Sequence, residues 1–207
     1  MTEANAKKYS GLRELGKTKN LVKIAVLAAL GFVLMQIFRI PLPFAPNFMT
    51  VDFGDFPALV GGFAMGPLGG IAIQLVKNIL KAFTTETVGV GELSNFIVGS
   101  VFVLISSLYY KKNKTKKGAI IALILGSLAM SAVAFLSNYF FIFPAYAKAI
   151  DMDLNLLSIE IGKTNPLVKD YASLMFFAII PFNLVKGALV SIVTGLLYKR
   201  ISPILHR

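Results

Sequence analysis

Polar residues embedded in apolar stretches are the side chains of this sequence that could do chemistry. Glu92 and Asn95 stand three residues apart at the head of an apolar run, and Asn183 and Lys186 repeat that spacing in another. Asn138 is a lone carboxamide in FLSNYFF. Residues three apart share a helical face, and ionisable groups within apolar spans usually face a bundle interior or a cavity. The pattern therefore predicts a binding pocket with several carboxamides and few charges.

A second polar pattern lies between residues 74 and 81. Its members recur at the spacing of one helical face: Gln74, Lys77, Asn78 and Lys81. Two interpretations are open, because this face could line the pocket, with Asn78 touching ligand, or its lysines could snorkel to the membrane surface. Lys186 is about a dozen residues from either end of its apolar span, too far for snorkelling. A binding role is therefore favoured for Asn183 and Lys186.

Two other polar positions also have structural alternatives. Asn138 could bond a neighbouring helix instead of a ligand. Glu92 and Asn95 could cap the helix that they begin, since negative charge suits a helix N-terminus. We expect Glu92 to offset Lys77 or Lys81 at the rim of the pocket and Asn95 to reach the ligand.

Composition excludes most catalytic chemistry. The chain of 207 residues is 56% hydrophobic, has no cysteine, and has one histidine, His206, next to its last residue. The sequence has no Walker A phosphate loop, and no nucleophile triad or pair of catalytic acid and base can be recognised in it. A membrane-embedded hydrolase is therefore disfavoured. We expect a protein that is not an enzyme, with no metal, cofactor or nucleic-acid partner.

Long apolar runs predict an all-α polytopic membrane protein. Four runs can each cross about 30 Å of hydrocarbon: residues 21–40, 93–110, 119–143 and 171–199. A further apolar segment, 56–83, is longer than one ordinary span and shorter than two.

Charge decides how that segment is counted. Basic residues concentrate in the N-terminal tail, in KKNKTKK (111–117) and at the C-terminus, and the positive-inside rule places all three in the cytoplasm. This requires two passes, or a re-entrant hairpin turning at Gly66-Pro67-Leu68-Gly69-Gly70, within 56–83. We therefore predict six helices with short helices 2 and 3 and both termini cytoplasmic. The predicted organisation is a basic tail (1–20), one membrane domain (21–200) and a C-terminal tail (201–207).

The same topology leaves three connections outside the cell. They comprise residues 40–55, 84–91 and 144–170, and the first and third are long enough to form lids or pocket walls. Abundant Phe, Met, Leu and Tyr side chains around carboxamides suit a flat heteroaromatic ligand, whose edge offers alternating donors and acceptors.

Several of these stretches resemble one transporter family. DFGDFPALVGGFAMGPLGG, KNILK, GVGELSNF and FNLVKG are similar to the substrate-binding S component of energy-coupling factor (ECF) vitamin transporters, in particular the riboflavin-specific branch. The resemblance covers essentially the whole chain. It implies a subunit in a prokaryotic plasma membrane that captures riboflavin from outside and delivers it with a transmembrane coupling subunit and two cytoplasmic ATPases.

The resemblance also assigns roles to individual residues. It implies that Asn183, Lys186 and Asn138 hydrogen-bond the flavin, and that the ligand is covered by residues of the first external connection, namely Phe44, Phe48 and Met49. The third connection departs from the family pattern, since it is long and acidic in its first half, with Asp151, Asp153 and Glu160.

Ala25 and Ala29 match the family's Ala-x-x-x-Ala motif on helix 1, which implies contact with the coupling subunit. Small residues four apart let a second helix approach closely in lipid, although they could equally serve packing within this chain.

Two other transport functions remain open. One is an S component for a different vitamin, thiamine or pantothenate. The other is a stand-alone secondary transporter in which Lys186 or Glu92 couples protons. Thiamine is a cation and favours an acidic, aromatic cage, whereas the deep residues here are amides and lysine.

Overall fold

A computed structural model of the chain describes residues 16–206, with side chains up to residue 198. Most of the predicted N-terminal tail and Arg207 lie outside the described residues. Within the described part, four helical stretches are long and apolar enough to cross a membrane: Thr18–Ile37, Val90–Lys112, Lys116–Ala149 and Tyr171–Tyr198. These coincide with the four spans that hydropathy predicts.

The first span is helix α1, Thr18–Ile37. It ends three residues before the predicted boundary because Phe38 adopts an extended backbone and the chain then enters a small hairpin. Strand β1, Ile40–Pro41, pairs antiparallel with β2, Thr50–Val51. The hairpin, which sequence patterns did not predict, encloses residues 42–49.

The ambiguous segment forms two short helices, α2 (Asp55–Met65) and α3 (Pro67–Ala82). Gly66 separates them with a φ of 89° and a ψ of 172°, a conformation open to glycine and costly for other residues. Pro67 then starts α3, where its missing N–H costs nothing. The chain therefore turns within the predicted segment 66–70, but the turn is confined to Gly66, because residues 67–70 already belong to α3.

The next two helices form a long antiparallel pair. Helix α4, Val90–Lys112, follows Gly89, which is left-handed at φ 82°. Helix α5, Lys116–Ser137, passes through a π-helical turn, Asn138–Ile142, into α6, Phe143–Ala149, without a break. The helical stretch over the apolar run predicted at 119–143 therefore begins earlier, at Lys116, and continues to Ala149.

The third connection contains helices of its own. Helix α7 is Leu154–Gly162 and α8 is Tyr171–Leu174; a second π-helical turn, Met175–Ile179, leads into α9, Ile180–His206. The Asp153 carboxylate accepts a hydrogen bond from the Asn155 N–H at the start of α7, and Asp170 forms a capping box with Ser173 at the start of α8. Some of this connection's acidic residues therefore act as helix caps.

Packing brings the long and short helices around a shared core. Helix α4 lies against α3 and α5, α9 against α5 and α2, and α1 against α2 and α3. Fully buried side chains at these contacts include Leu59, Ile73, Phe102, Met130 and Ile179. On the outer faces, large apolar side chains such as Val26, Ile124 and Ile192 are more than half exposed, which suits hydrocarbon and not water.

Candidate binding site

A cavity lies where the first hairpin, the connection between α3 and α4, and the π-helical turn of α5 come together. Its apolar wall comes from segments spread along the chain and includes Met35, Phe48, Met49, Val90, Ile142, Phe143, Tyr146 and Phe182. Its polar wall includes Arg39, Asp52, Lys81, Glu86, Thr87, Glu92, Ser94, Asn95 and Asn138. An aromatic and aliphatic enclosure with a few polar groups is the usual construction of a small-molecule site.

Three aromatic rings form a connected part of this wall. The Phe48 ring centroid lies 4.9 Å from that of Tyr146 and 5.8 Å from that of Phe143. Phe48 belongs to the hairpin, whereas Phe143 and Tyr146 belong to α6, so the three rings join the first connection to the far end of α5. Phe44 instead packs with Ala45, Val51 and Phe182 in a small separate cluster. Phe48 and Met49 thus line the cavity, and Phe44 is not among its lining residues.

Asn138 lines the cavity from the first residue of the π-helical turn. Its Nδ2 donates to the Ala134 carbonyl at 2.7 Å, and this hydrogen bond fixes the orientation of the carboxamide. Within the part of the chain that the structure describes, no group donates to Asn138 Oδ1, so this oxygen is available as an acceptor.

Asn183 repeats the arrangement in α9. Its Nδ2 donates to the Ile179 carbonyl at 2.8 Å, just after the second π-helical turn. The side chain is buried next to the cavity residue Phe182 in sequence, but Asn183 itself is not among the lining residues.

Lys186 is buried and held by carboxylate and amide oxygens. Its Nζ lies 2.9 Å from Asp52 Oδ2, 3.5 Å from Asp55 Oδ2 and 3.3 Å from Asn95 Oδ1. Its ammonium therefore stands behind Asp52 and Asn95, which line the cavity, and is not itself a lining group. Asn95 accepts from Lys186 through Oδ1, which leaves its Nδ2 hydrogens to donate elsewhere.

A second ion pair completes this buried network. Lys77 Nζ donates to Asp55 Oδ1 at 2.6 Å, and Gln74 Nε2 donates to the same oxygen at 2.8 Å. Lys77 and Gln74 have no exposed surface, so snorkelling is wrong for Lys77. Asn78 donates to the Gln74 carbonyl at 2.8 Å and does not line the cavity. Two lysines and two aspartates thus balance their charges between the first connection, α2, α3 and α9.

The expected pairing of Glu92 with Lys77 or Lys81 is wrong. The Glu92 carboxylate accepts hydrogen bonds from the hydroxyls of Thr85 at 2.9 Å and Thr87 at 3.0 Å. It lies in the first turn of α4 but makes no side-chain cap to the backbone. The Thr87 hydroxyl accepts from the Gly91 N–H at 3.1 Å instead. Glu92 is buried and lines the cavity.

Arg39 and Glu86 join the end of α1 to the connection between α3 and α4 by a two-pronged ion pair. Arg39 Nη1 lies 2.6 Å from Glu86 Oε1, and Nη2 contacts Oε2. The hydrogen bond from Arg39 lowers the pKa of the Glu86 carboxyl, and the charges of Arg39 and Lys81 act in the same direction. Both side chains are partly exposed, so the pair contributes little stability but ties together two walls of the cavity.

Sequence patterns missed several of these residues. Asp52 and Asp55 occur in the DFGDF stretch, but the sequence patterns assigned neither of them a role. A signal was available, because the charged residues in apolar spans needed partners of opposite charge; these residues are Lys77, Lys81, Glu92 and Lys186. Arg39, Phe143 and Tyr146 were also missed, since nothing in their spacing connects them. Ala25 and Ala29 lie exposed on α1, away from the cavity.

Comparison with known protein families identifies the family of the chain. The profile of the family described as ECF transporter, substrate-specific component, matches residues 19–198. The chain belongs to this family. It is therefore a transport component and not an enzyme, and its apolar helices make it a multi-pass membrane protein.

Curated relatives of this S component share most of its length. The riboflavin transporter RibU of Staphylococcus aureus (strain TCH60) is 36% identical over 200 residues, covering 96% of this chain and 99% of that protein. The riboflavin transporter FmnP of Bacillus subtilis (strain 168) is 32% identical over 192 residues, covering 90% and 94% respectively.

The fold is also shared with a solved S component. That structure, described as the structure and mechanism of the S component of a bacterial ECF transporter, superposes with a TM-score of 0.70 at 34% identity. The similarity covers 90% of this chain and 97% of the other.

Proposed function

We propose that this S component binds riboflavin in the cavity on the outer side of a bacterial plasma membrane. The observation that carries this proposal is the pairing of carboxamides with an aromatic wall. Asn138 offers an acceptor oxygen and Asn95 offers donor hydrogens, while Phe48, Phe143 and Tyr146 enclose the same space. The uracil-like edge of a flavin presents an N–H between two carbonyls, which matches that pattern. The names of the curated relatives support the same ligand.

Asn183 and Lys186 have a supporting place in this proposal. Lys186 holds Asn95 and Asp52 in position from behind the cavity wall, and Asn183 lies one helical turn before it on α9.

A cation such as thiamine fits less well, because two of the three carboxylates that line the cavity are already paired, Asp52 with Lys186 and Glu86 with Arg39. The third, Glu92, shares the cavity with the ammonium of Lys81. The curated relatives, both named as riboflavin transporters, do not favour pantothenate. The ion pair with Asp52 disfavours Lys186 as a proton-coupling group.

The positive-inside rule supports a membrane topology for this S component. We place both termini in the cytoplasm and propose six membrane helices, of which the second and third, α2 and α3, are short. Helices of 11 and 16 residues are tolerable at membrane depth when packed in protein. In this proposal the chain does not hydrolyse ATP itself, and delivery of riboflavin depends on a transmembrane coupling subunit and two ATPases.

Riboflavin titration tests the ligand assignment. We expect the flavin fluorescence to be quenched as detergent-purified, flavin-free protein is added, saturating at one flavin per chain. The protein has no tryptophan, so the ligand's own emission is the clean signal. Absence of quenching by folded protein would overturn riboflavin as the ligand and leave the family assignment standing. Uptake into energised vesicles by this chain alone would instead favour a secondary transporter.

Substitutions on α1 test the coupling surface. We expect Ala25→Leu with Ala29→Leu to reduce co-purification with the coupling subunit severalfold, because bulk at exposed small positions prevents close helix approach. Riboflavin binding by the isolated chain should not change. Ala132→Leu, at an exposed alanine of α5, is the matched control and should leave the complex intact. Equal complex recovery from all three proteins would contradict this surface.

A further inference from the structure

Lys81 is a buried cation that contacts only neutral oxygens. Its Nζ donates to Gln36 Oε1 at 2.9 Å and to the Thr84 carbonyl at 3.3 Å, and its residue is 6% exposed. The other lysines buried among the described side chains, Lys77 and Lys186, are both paired with aspartate. An ammonium has three donors, so Lys81 retains one, and it lines the cavity.

Glu92 is the corresponding buried anion. Its carboxylate contacts the hydroxyls of Thr85 and Thr87, its residue is also 6% exposed, and it lines the same cavity. Lys81 and Glu92 flank the connection between α3 and α4, yet no ion pair joins them within the described residues. Among the described residues no carboxylate lies within salt-bridge distance of Lys81, and Glu86 acts on it only at longer range. Burying charged groups without close ionic partners is costly, so the arrangement is explained best by a ligand group that contacts both Lys81 and Glu92.

The chemistry of that group follows from the two charges. A hydroxyl accepts from an ammonium and donates to a carboxylate at the same time, and a chain of hydroxyls can do both repeatedly. An apolar group would leave both charges desolvated, and a phosphate would be repelled by Glu92. We propose that Lys81 is a specificity-determining residue which, opposite Glu92, binds the polyol chain of the ligand. The inference rests on the proposed function, in which that polyol is the ribityl chain of riboflavin.

Neighbouring polar groups hold Lys81 in this position. Gln36 accepts from the lysine and donates through Nε2 to the Thr84 hydroxyl at 2.8 Å. That hydroxyl donates in turn to the Lys81 carbonyl at 3.2 Å. Gln36, which does not line the cavity, is therefore a positioning residue that acts through Lys81.

A comparison of two flavins tests the polyol site. Lumiflavin carries the riboflavin ring with a methyl group in place of the ribityl chain. In Lys81→Met we expect riboflavin affinity to fall at least about tenfold, as for the loss of a charged hydrogen bond, while lumiflavin affinity stays within about twofold. Retained lumiflavin binding also shows that the variant is folded. Lys148→Met, at an exposed lysine of α6, should change neither affinity.

Other outcomes separate the possible failures. Equal weakening of both flavins, or unchanged riboflavin affinity, would overturn the role of Lys81 and leave the proposed function intact. Failure of the wild-type chain to bind either flavin would overturn the proposed function, and this inference with it. If Lys81→Met does not fold, Gln36→Leu decides the question, because it should weaken riboflavin severalfold without affecting lumiflavin.

Discussion

We expect Asp55→Ala to destabilise the protein by roughly 3–5 kcal/mol, the usual result of removing one partner of a buried charge network. Asp55 accepts from Lys77 at 2.6 Å and Gln74 at 2.8 Å and lies 3.5 Å from Lys186. Its removal leaves Lys77, which has no exposed surface, without a counter-charge. The remaining aspartate, Asp52, already serves Lys186.

Thermal unfolding in detergent measures this effect. The double variant Asp55→Asn with Lys77→Met removes both charges of one pair, and it should recover part of the stability that Asp55→Ala loses. Arg39→Gln breaks a partly exposed pair and should cost no more than about 1 kcal/mol. If Asp55→Ala unfolds at the wild-type temperature, the network does not support the helix packing as described.

We expect Asn138→Ala combined with Asn95→Ala to weaken riboflavin binding by about a hundredfold or more. Asn138 Oδ1 is free to accept from the flavin N3–H, because its Nδ2 is bound to the Ala134 carbonyl at 2.7 Å. Asn95 Nδ2 can donate to a flanking carbonyl, because its Oδ1 is occupied by Lys186. The double variant therefore leaves the flavin edge buried without partners, and fluorescence titration gives the change in affinity.

A ligand modified at N3 isolates the Asn138 contact. Riboflavin methylated at N3 cannot donate there, so the wild-type protein should bind it much more weakly than riboflavin. In Asn138→Ala this preference should largely disappear. A variant that still discriminates strongly between the two ligands would show that Asn138 does not accept from N3. The melting temperature of each variant distinguishes loss of contact from loss of fold.

Local sequence signals predicted much of the helical framework and part of the cavity. Hydropathy located the long spans, and the charge distribution together with Gly66-Pro67 predicted the break between α2 and α3, because glycine and proline act on the backbone where they stand. Glu92 and Asn95 were predicted from their helical spacing, and Asn138 as a lone carboxamide in an apolar run; all three line the cavity. Phe48 and Met49 came from the family resemblance.

Only the tertiary structure decided which charges pair. Lys186 and Asp52 are separated by 134 positions, and no local spacing encodes a contact that depends on how α9 is rotated against the first hairpin. For the same reason, Glu92 meets the hydroxyls of Thr85 and Thr87 and not a lysine, and Lys186 stands behind the cavity wall. A helix's own sequence determines which residues share a face. What that face meets is decided by the packing of all the helices, and with it whether a buried charge serves stability or the ligand.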